Sequence, residues 1–128
     1  MFYVFGGYHK DTGTLDSIEK GSLKDMKINL VEITMPNPLR RFASMKISQG
    51  KILLMGGLSR LSKESDSVYC FDLEGPKLQI EKLDKIERGG AIDMPIISDA
   101  VGNLHLFVEN CSGTSPPFHQ VYSFLEYS

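Results

Sequence analysis

Lys51-Ile52-Leu53-Leu54-Met55-Gly56-Gly57 is an apolar run that opens on one lysine and stops at a double glycine. A polar loop from Leu58 to Ser65 follows, and then a second apolar run, Val68-Tyr69-Cys70-Phe71-Asp72-Leu73. Short apolar runs bounded by glycine and polar turns read as strands. The same phrase stands 50 residues earlier as Phe2-Tyr3-Val4-Phe5-Gly6-Gly7. With the glycine pairs aligned, Ile18 falls on Val68 and Leu23 on Leu73. Ile28, Leu30 and Ile33 fall on Leu78, Ile80 and Leu83, all without a gap. A third, looser copy has Leu104-His105-Leu106-Phe107 at an offset of 52 from the second copy. Val121-Tyr122-Ser123-Phe124 falls on Val68-Tyr69-Cys70-Phe71 at an offset of 53. Val108-Glu109 stands where the glycines would be. A match carried through three strands marks an internal repeat.

Each repeat reads as four short strands, a to d. Strand a is clearest in Phe42–Ile47: Ala43, Met45 and Ile47 point one way, Ser44 and Lys46 the other. Period two is the mark of a strand with unlike faces. Ser48-Gln49-Gly50-Lys51 and Ala100-Val101-Gly102-Asn103 read as tight a–b turns, where glycine takes positive φ at no steric cost. Strand b is apolar throughout, which predicts burial on both faces. Strand c sets Tyr69 and Phe71 against Val68 and Cys70. Strand d sets Leu78 and Ile80 against Gln79 and Glu81. Leu73-Glu74-Gly75-Pro76-Lys77 supplies the c–d turn. No segment carries a helical stripe, so the fold class is all-β.

A repeat of about 50 residues with four strands is the period of kelch blades. The chain resembles the kelch-repeat β-propeller family in Phe5-Gly6-Gly7, Met55-Gly56-Gly57, the Val68-Tyr69-x-Phe71-Asp72 strand and the basic Arg40 or Arg41 before strand a. The resemblance implies blades of four-stranded antiparallel meanders. Three departures mark a divergent member. Ile28 and Leu78 stand nearest to the family's strand-d aromatic, the third double glycine is lost, and Glu19 and Gly21 replace an aromatic pair. Repeat one spans 1–39, repeat two 40–86 and repeat three 87–128. Repeat one begins at strand b and repeat three ends at strand c, giving ten strands. A propeller ring takes about 4–8 four-stranded blades. The ring is therefore incomplete, and the expectation is part of a longer chain; completion by partner chains is the alternative. Phe2–Phe5 and Val121–Leu125 should form open edges, and the outermost blade faces should lack cover. Self-association through these edges is expected.

Composition narrows the function classes. The chain has 128 residues, 41% of them apolar, with a net charge of −2. Its basic residues are scattered, which argues against nucleic acid and a membrane surface. No apolar run approaches the roughly 20 residues needed to cross a bilayer. The N-terminal apolar run lacks a positive flank and is too short for a signal peptide. Cys70 and Cys111 do not make a disulfide framework, so reduced thiols and a cytoplasmic location are expected. Cys70 reads as a small core residue.

The candidate chemistry is sparse. His9, His105 and His119 lie far apart in sequence, and no carboxylate or cysteine stands beside His9 or His119 at metal-ligand spacing. His9 and His119 could face each other from equivalent loops, but surface histidines are the plainer reading. Neither metal nor cofactor is expected. The double glycines lack the strand–loop–helix context of a phosphate cradle. Close backbone approach at the strand-b exit explains them better. No nucleophile-elbow context accompanies any serine.

The loops carry more. The b–c loops (Tyr8–Leu15, Leu58–Ser65, Asn110–Phe118) and d–a loops (Thr34–Arg41, Asp84–Gly90) are long and belong to one rim. Long loops on a rigid scaffold are where binding resides. They bring Tyr8, His9, Arg40, Arg41, Arg60, Lys63, Arg88 and His119 as partner-binding candidates, and Tyr and Arg are the types that anchor interfaces. Resemblance to kelch implies a non-catalytic scaffold or substrate-recognition platform, in some cases joined to cytoskeletal or ubiquitin-ligase partners. The alternative is a piece of a kelch-like enzyme of the copper oxidase or sugar-isomerising type. Copper would want clustered His with Tyr and Cys, and the scattered histidines argue against it.

Overall fold

The computed structural model describes residues 1–48, 50–86, 92–108 and 118–122. No helix occurs among them, so none is long and apolar enough to cross a membrane. The strands are β1 (Phe2–Phe5), β2 (Tyr8–His9), β3 (Gly13–Thr14), β4 (Ile18–Ser22), β5 (Lys27–Leu30) and β6 (Ala43–Ser48). They continue with β7 (Lys51–Met55), β8 (Val68–Asp72), β9 (Gln79–Leu83), β10 (Ile96–Ser98), β11 (Leu104–Val108) and β12 (Phe118–Tyr122). Three antiparallel meanders result, ordered β1-β4-β5, β6-β7-β8-β9 and β10-β11-β12. The full four-stranded blade and the two three-stranded ones are those expected, all-β and kelch-like, and none of the sheets closes on itself. β1 and β12 lie at sheet edges among the described residues. A small hairpin, β2–β3, was not foreseen inside the Tyr8–Leu15 loop.

The chain forms two compact units. One holds Met1–Arg40 with Leu58–Lys63; the other holds Arg41–Gly57 with Glu64–Ser128. In the first, Ile18, Met35 and Leu39 are buried. In the second, the β6–β9 meander has unlike faces that the pairing register makes explicit. Leu53 stands opposite Met45 and Cys70, and Met55 opposite Ala43 and Val68. This face shares one core with Leu104, Leu106, Val108 and Tyr122 of the last sheet, closed by Ile86 and Met94. The other face buries Leu54, Tyr69 and Phe71. Strand β7 is thus covered on both sides, as its unbroken apolar run predicts. Strand a alternates as read: Ala43, Met45 and Ile47 are half-buried, Ser44 and Lys46 exposed.

The glycine pairs are geometrically equivalent. Gly6 and Gly7 have φ of 57° and 106°, Gly56 and Gly57 of 69° and 98°. Gly6 donates to Ser17 O at 2.8 Å and Gly56 to Ser67 O at 3.0 Å. Leu15 donates to Gly7 O and Ser65 to Gly57 O, both at 2.8 Å. Every donor and acceptor here is displaced by 50 residues, which establishes the repeat in hydrogen bonds. The close-approach explanation holds for Gly6, where a Cβ would strike the Leu39 carbonyl oxygen. It fails for Gly7, which has open space; left-handed φ alone selects glycine there.

Three details correct the repeat alignment. Glu19 pairs with Leu30 and Gly21 with Ile28, whereas Phe71 pairs with Ile80. Ile28 therefore occupies the place of Ile80, not Leu78, and the gap-free match breaks at a c–d turn two residues shorter in repeat one. Strand c of repeat three spans Phe118–Tyr122 and does not begin at Val121; residues 123–125 lie outside those described. Tyr122 stands opposite Leu104, the place Phe71 holds opposite Ile52. The missing aromatic at Gly21 has a physical explanation. A Cβ on Gly21 would run into the ring of Phe2, its cross-strand partner. Repeat one carries its bulk on strand b as Phe2, whereas repeat two carries it on strand c as Phe71 opposite Ile52.

Leu54 is fully buried and Lys63 exposed. Leu54→Ala should cost about 2–5 kcal/mol in chemical denaturation, and Lys63→Ala no more than about 0.5 kcal/mol. Equal shifts of the two midpoints would misplace the core.

Candidate functional site

The loop residues singled out in the sequence divide between the two units. Tyr8, His9, Arg40, Arg60 and Lys63 belong to the first. Their positions follow from local backbone pairing. Tyr8 pairs with Thr14 and His9 with Gly13 across the β2–β3 hairpin, and Gly13 supplies a φ of 81° at its turn. Arg40 and Leu58 exchange backbone hydrogen bonds at 3.0 and 2.7 Å, docking the 58–63 loop on this unit. That loop closes on itself. Ser59 N–H donates to Lys63 O at 2.9 Å, and Lys63 N–H to Ser59 Oγ at 3.3 Å.

The side chains form a basic and aromatic patch. The Arg40 guanidinium carbon lies 4.7 Å from the Tyr8 ring centroid, a cation–π contact. Tyr8 remains 59% exposed, so much of its surface is open to a partner. Arg40 Nε is buried and has no hydrogen-bond partner among the described residues. Arg60 Nη2 donates to the Thr14 carbonyl at 3.2 Å, which fixes the guanidinium beside the hairpin. His9 Nδ1 accepts the Asp11 backbone N–H at 3.1 Å and is occupied by its own turn. This patch can receive carboxylates or other anionic groups beside an apolar ring.

Arg41 and His119 belong to the second unit. Arg41 Nε donates to Asp93 Oδ2 at 3.0 Å, and its Nη2 donates to the same oxygen. The Asp93 N–H donates to Arg41 O at 3.1 Å. Both residues have left-handed φ, 54° and 48°, uncommon for residues other than glycine. The ion pair and the backbone bond hold that conformation. His119 lies in strand β12, not in a loop, and its neighbour is His105, whose Nδ1 is 2.8 Å from His119 Nε2. The pairing of β11 with β12 brings the two together, which sequence separation concealed. Asp99 completes this group, with Oδ2 2.9 Å from His105 Nε2. A period-two reading of both strands could have found the pair, but it required the true register of strand c. Arg88 and Cys111 lie outside the described residues. Cys70 is half-buried, and burial pushes its thiol upward, in keeping with an inert packing role.

No group of three or more His, Cys, Asp or Glu is disposed to hold a metal ion among the described residues. Residues 39–77 match the kelch motif. No curated protein matches the chain closely enough to be counted a relative.

The Arg41 hydrogen bond holds the Asp93 carboxyl below its ordinary 3.8; the His105 hydrogen bond does the same for Asp99. A carboxylate lowered in the folded state stabilises above its unfolded pKa. That contribution fades as pH falls through the lowered value. Asp93→Asn should therefore flatten the loss of stability below about pH 4, read as urea midpoints at neutral and acid pH. An unchanged acid slope would remove Asp93 from the account.

Proposed function

Residues 39–77 are a kelch repeat, and from that premise we propose that the chain is a non-catalytic protein-interaction module. It serves as a scaffold or substrate-recognition element, repeats running 1–39, 40–86 and 87–128, and binds its partner through the b–c and d–a loops. The observation that carries this reading is the Tyr8–Arg40 stack with Arg60 and Lys63 on the same unit. Tyr and Arg anchors concentrate binding energy, and an arginine stacked on an exposed ring, with Arg60 and Lys63 on the same unit, suits a protein surface bearing carboxylates. Arg41, Arg88 and His119 complete the proposed binding set. The uncovered blade faces add a capacity for self-association. A cytoplasmic setting suits the free Cys70 thiol.

Affinity capture with the full chain, followed by direct binding of the recovered protein, tests the proposal. Tyr8→Ala and Arg60→Glu should each weaken binding at least about tenfold, with an affinity that falls as salt rises. Lys46→Glu on the exposed side of strand a should leave it unchanged. A partner retained equally by all three variants would place the interface elsewhere.

A further inference from the structure

One face of the last sheet carries His105, Phe107, His119 and Val121. His105 stands opposite Val121 and Phe107 opposite His119, so the histidines are diagonal neighbours, within reach of long side chains. His105 Nδ1 and His119 Nε2 are 2.8 Å apart, with ring centroids 5.0 Å apart and ring planes 18° apart. These values hold together only if the rings lie edge to edge with the two nitrogens facing. On its other side, His105 Nε2 is 2.9 Å from Asp99 Oδ2. Asp99 is itself held in place by the a–b turn. Its Oδ1 accepts the N–H groups of Val101 and Asn103, both at 3.0 Å, and its own N–H donates to Asn103 O at 2.9 Å. A carboxylate only accepts, so the hydrogen sits on His105 Nε2, and Nδ1 presents a lone pair toward His119.

A carboxylate that fixes the tautomer of one imidazole, while its other nitrogen converges on a second imidazole, is the arrangement that prepares histidine for metal. We propose that His105 Nδ1 and His119 Nε2 chelate a borderline divalent ion of the zinc class, with Asp99 orienting His105. The ion replaces the hydrogen shared by the two nitrogens. Two metal–nitrogen bonds form, and neutral His119 exchanges its Nε2 proton through solvent for one on Nδ1, so that Nε2 offers its lone pair and no net proton is lost. Zinc–nitrogen bonds of about 2.0–2.1 Å in tetrahedral geometry set the nitrogens roughly 3.3 Å apart. The two nitrogens must therefore part by roughly half an ångström, and each ring must turn by roughly 35° so that both lone pairs meet at an ion beside the line joining them; His119, which is exposed, has room to move. Water fills the remaining positions, since no third described ligand converges there. Imidazole donors favour zinc or nickel over magnesium or calcium.

Titration of the full chain with zinc chloride in a non-chelating buffer tests the site. His105→Ala and His119→Ala should each weaken zinc binding at least 100-fold. Asp99→Asn should weaken it about 10–100-fold, and His9→Ala should not change it. In the unaltered chain, the imidazole nitrogen resonances of His105 and His119 should move with zinc while those of His9 stay. Absence of binding at millimolar zinc, equal binding by the histidine variants, or histidine resonances that do not move would each overturn the proposal.

Discussion

The structure depends on the packing of one sheet face against the next. Leu53, Met55 and Val68 of the central meander share a core with Leu104, Leu106 and Val108 of the sheet that follows. Burying each such side chain is worth about 1.5–3 kcal/mol, and no single meander has enough apolar surface to bury both of its faces alone. Within the second unit, repeats two and three solve this by covering each other. The consequence is visible where cover ends. Leu54 is 1% exposed in the central blade, whereas Val4, its equivalent in repeat one, is 44% exposed. Phe107 and Val121 on the far face of the last sheet are 43% and 52% exposed. Both faces of the strand pattern are buried in repeat two, whereas these residues leave one face of repeats one and three at the surface.

The rim depends on the core in a different manner. Gly6-Gly7 and Gly56-Gly57 turn the chain out of strand b with left-handed φ, and Ser17 and Ser67 receive the emerging N–H groups. This fixed exit lets the following loops vary. Repeat one uses its loop to build a hairpin that presents Tyr8; repeat two sends residues 58–63 to lie beside Arg40. Binding chemistry can then change while the strands keep their register.

Much of this was legible in the residues. The unbroken Lys51–Met55 run and the 50-residue recurrence identify the strands and the glycine exits. The alternation in strand a foretells its faces. What escaped had physical causes. The shorter c–d turn of repeat one shifts Ile28 by two places, because turn length is free when both ends reach solvent. The Phe2–Gly21 exchange of bulk across two strands is invisible until the register pairs them. Tyr122 was misplaced because Val-Tyr recurs by letter at a position the pairing does not honour. The Asp99–His105–His119 group escaped for the same reason. Its members meet only through strand pairing.

Sedimentation velocity of the 128-residue chain over a range of micromolar concentrations tests the stacked-sheet account most directly. With Val4, Ile28 and Leu30 exposed on the β1-β4-β5 sheet and Ile97, Phe107 and Val121 on the β10-β11-β12 sheet, the chain should self-associate as concentration rises. Phe107→Glu and Val4→Glu should each reduce that association. A cooperatively unfolding monomer at every concentration, binding no hydrophobic dye, would mean that these faces are satisfied as they stand and would contradict the account.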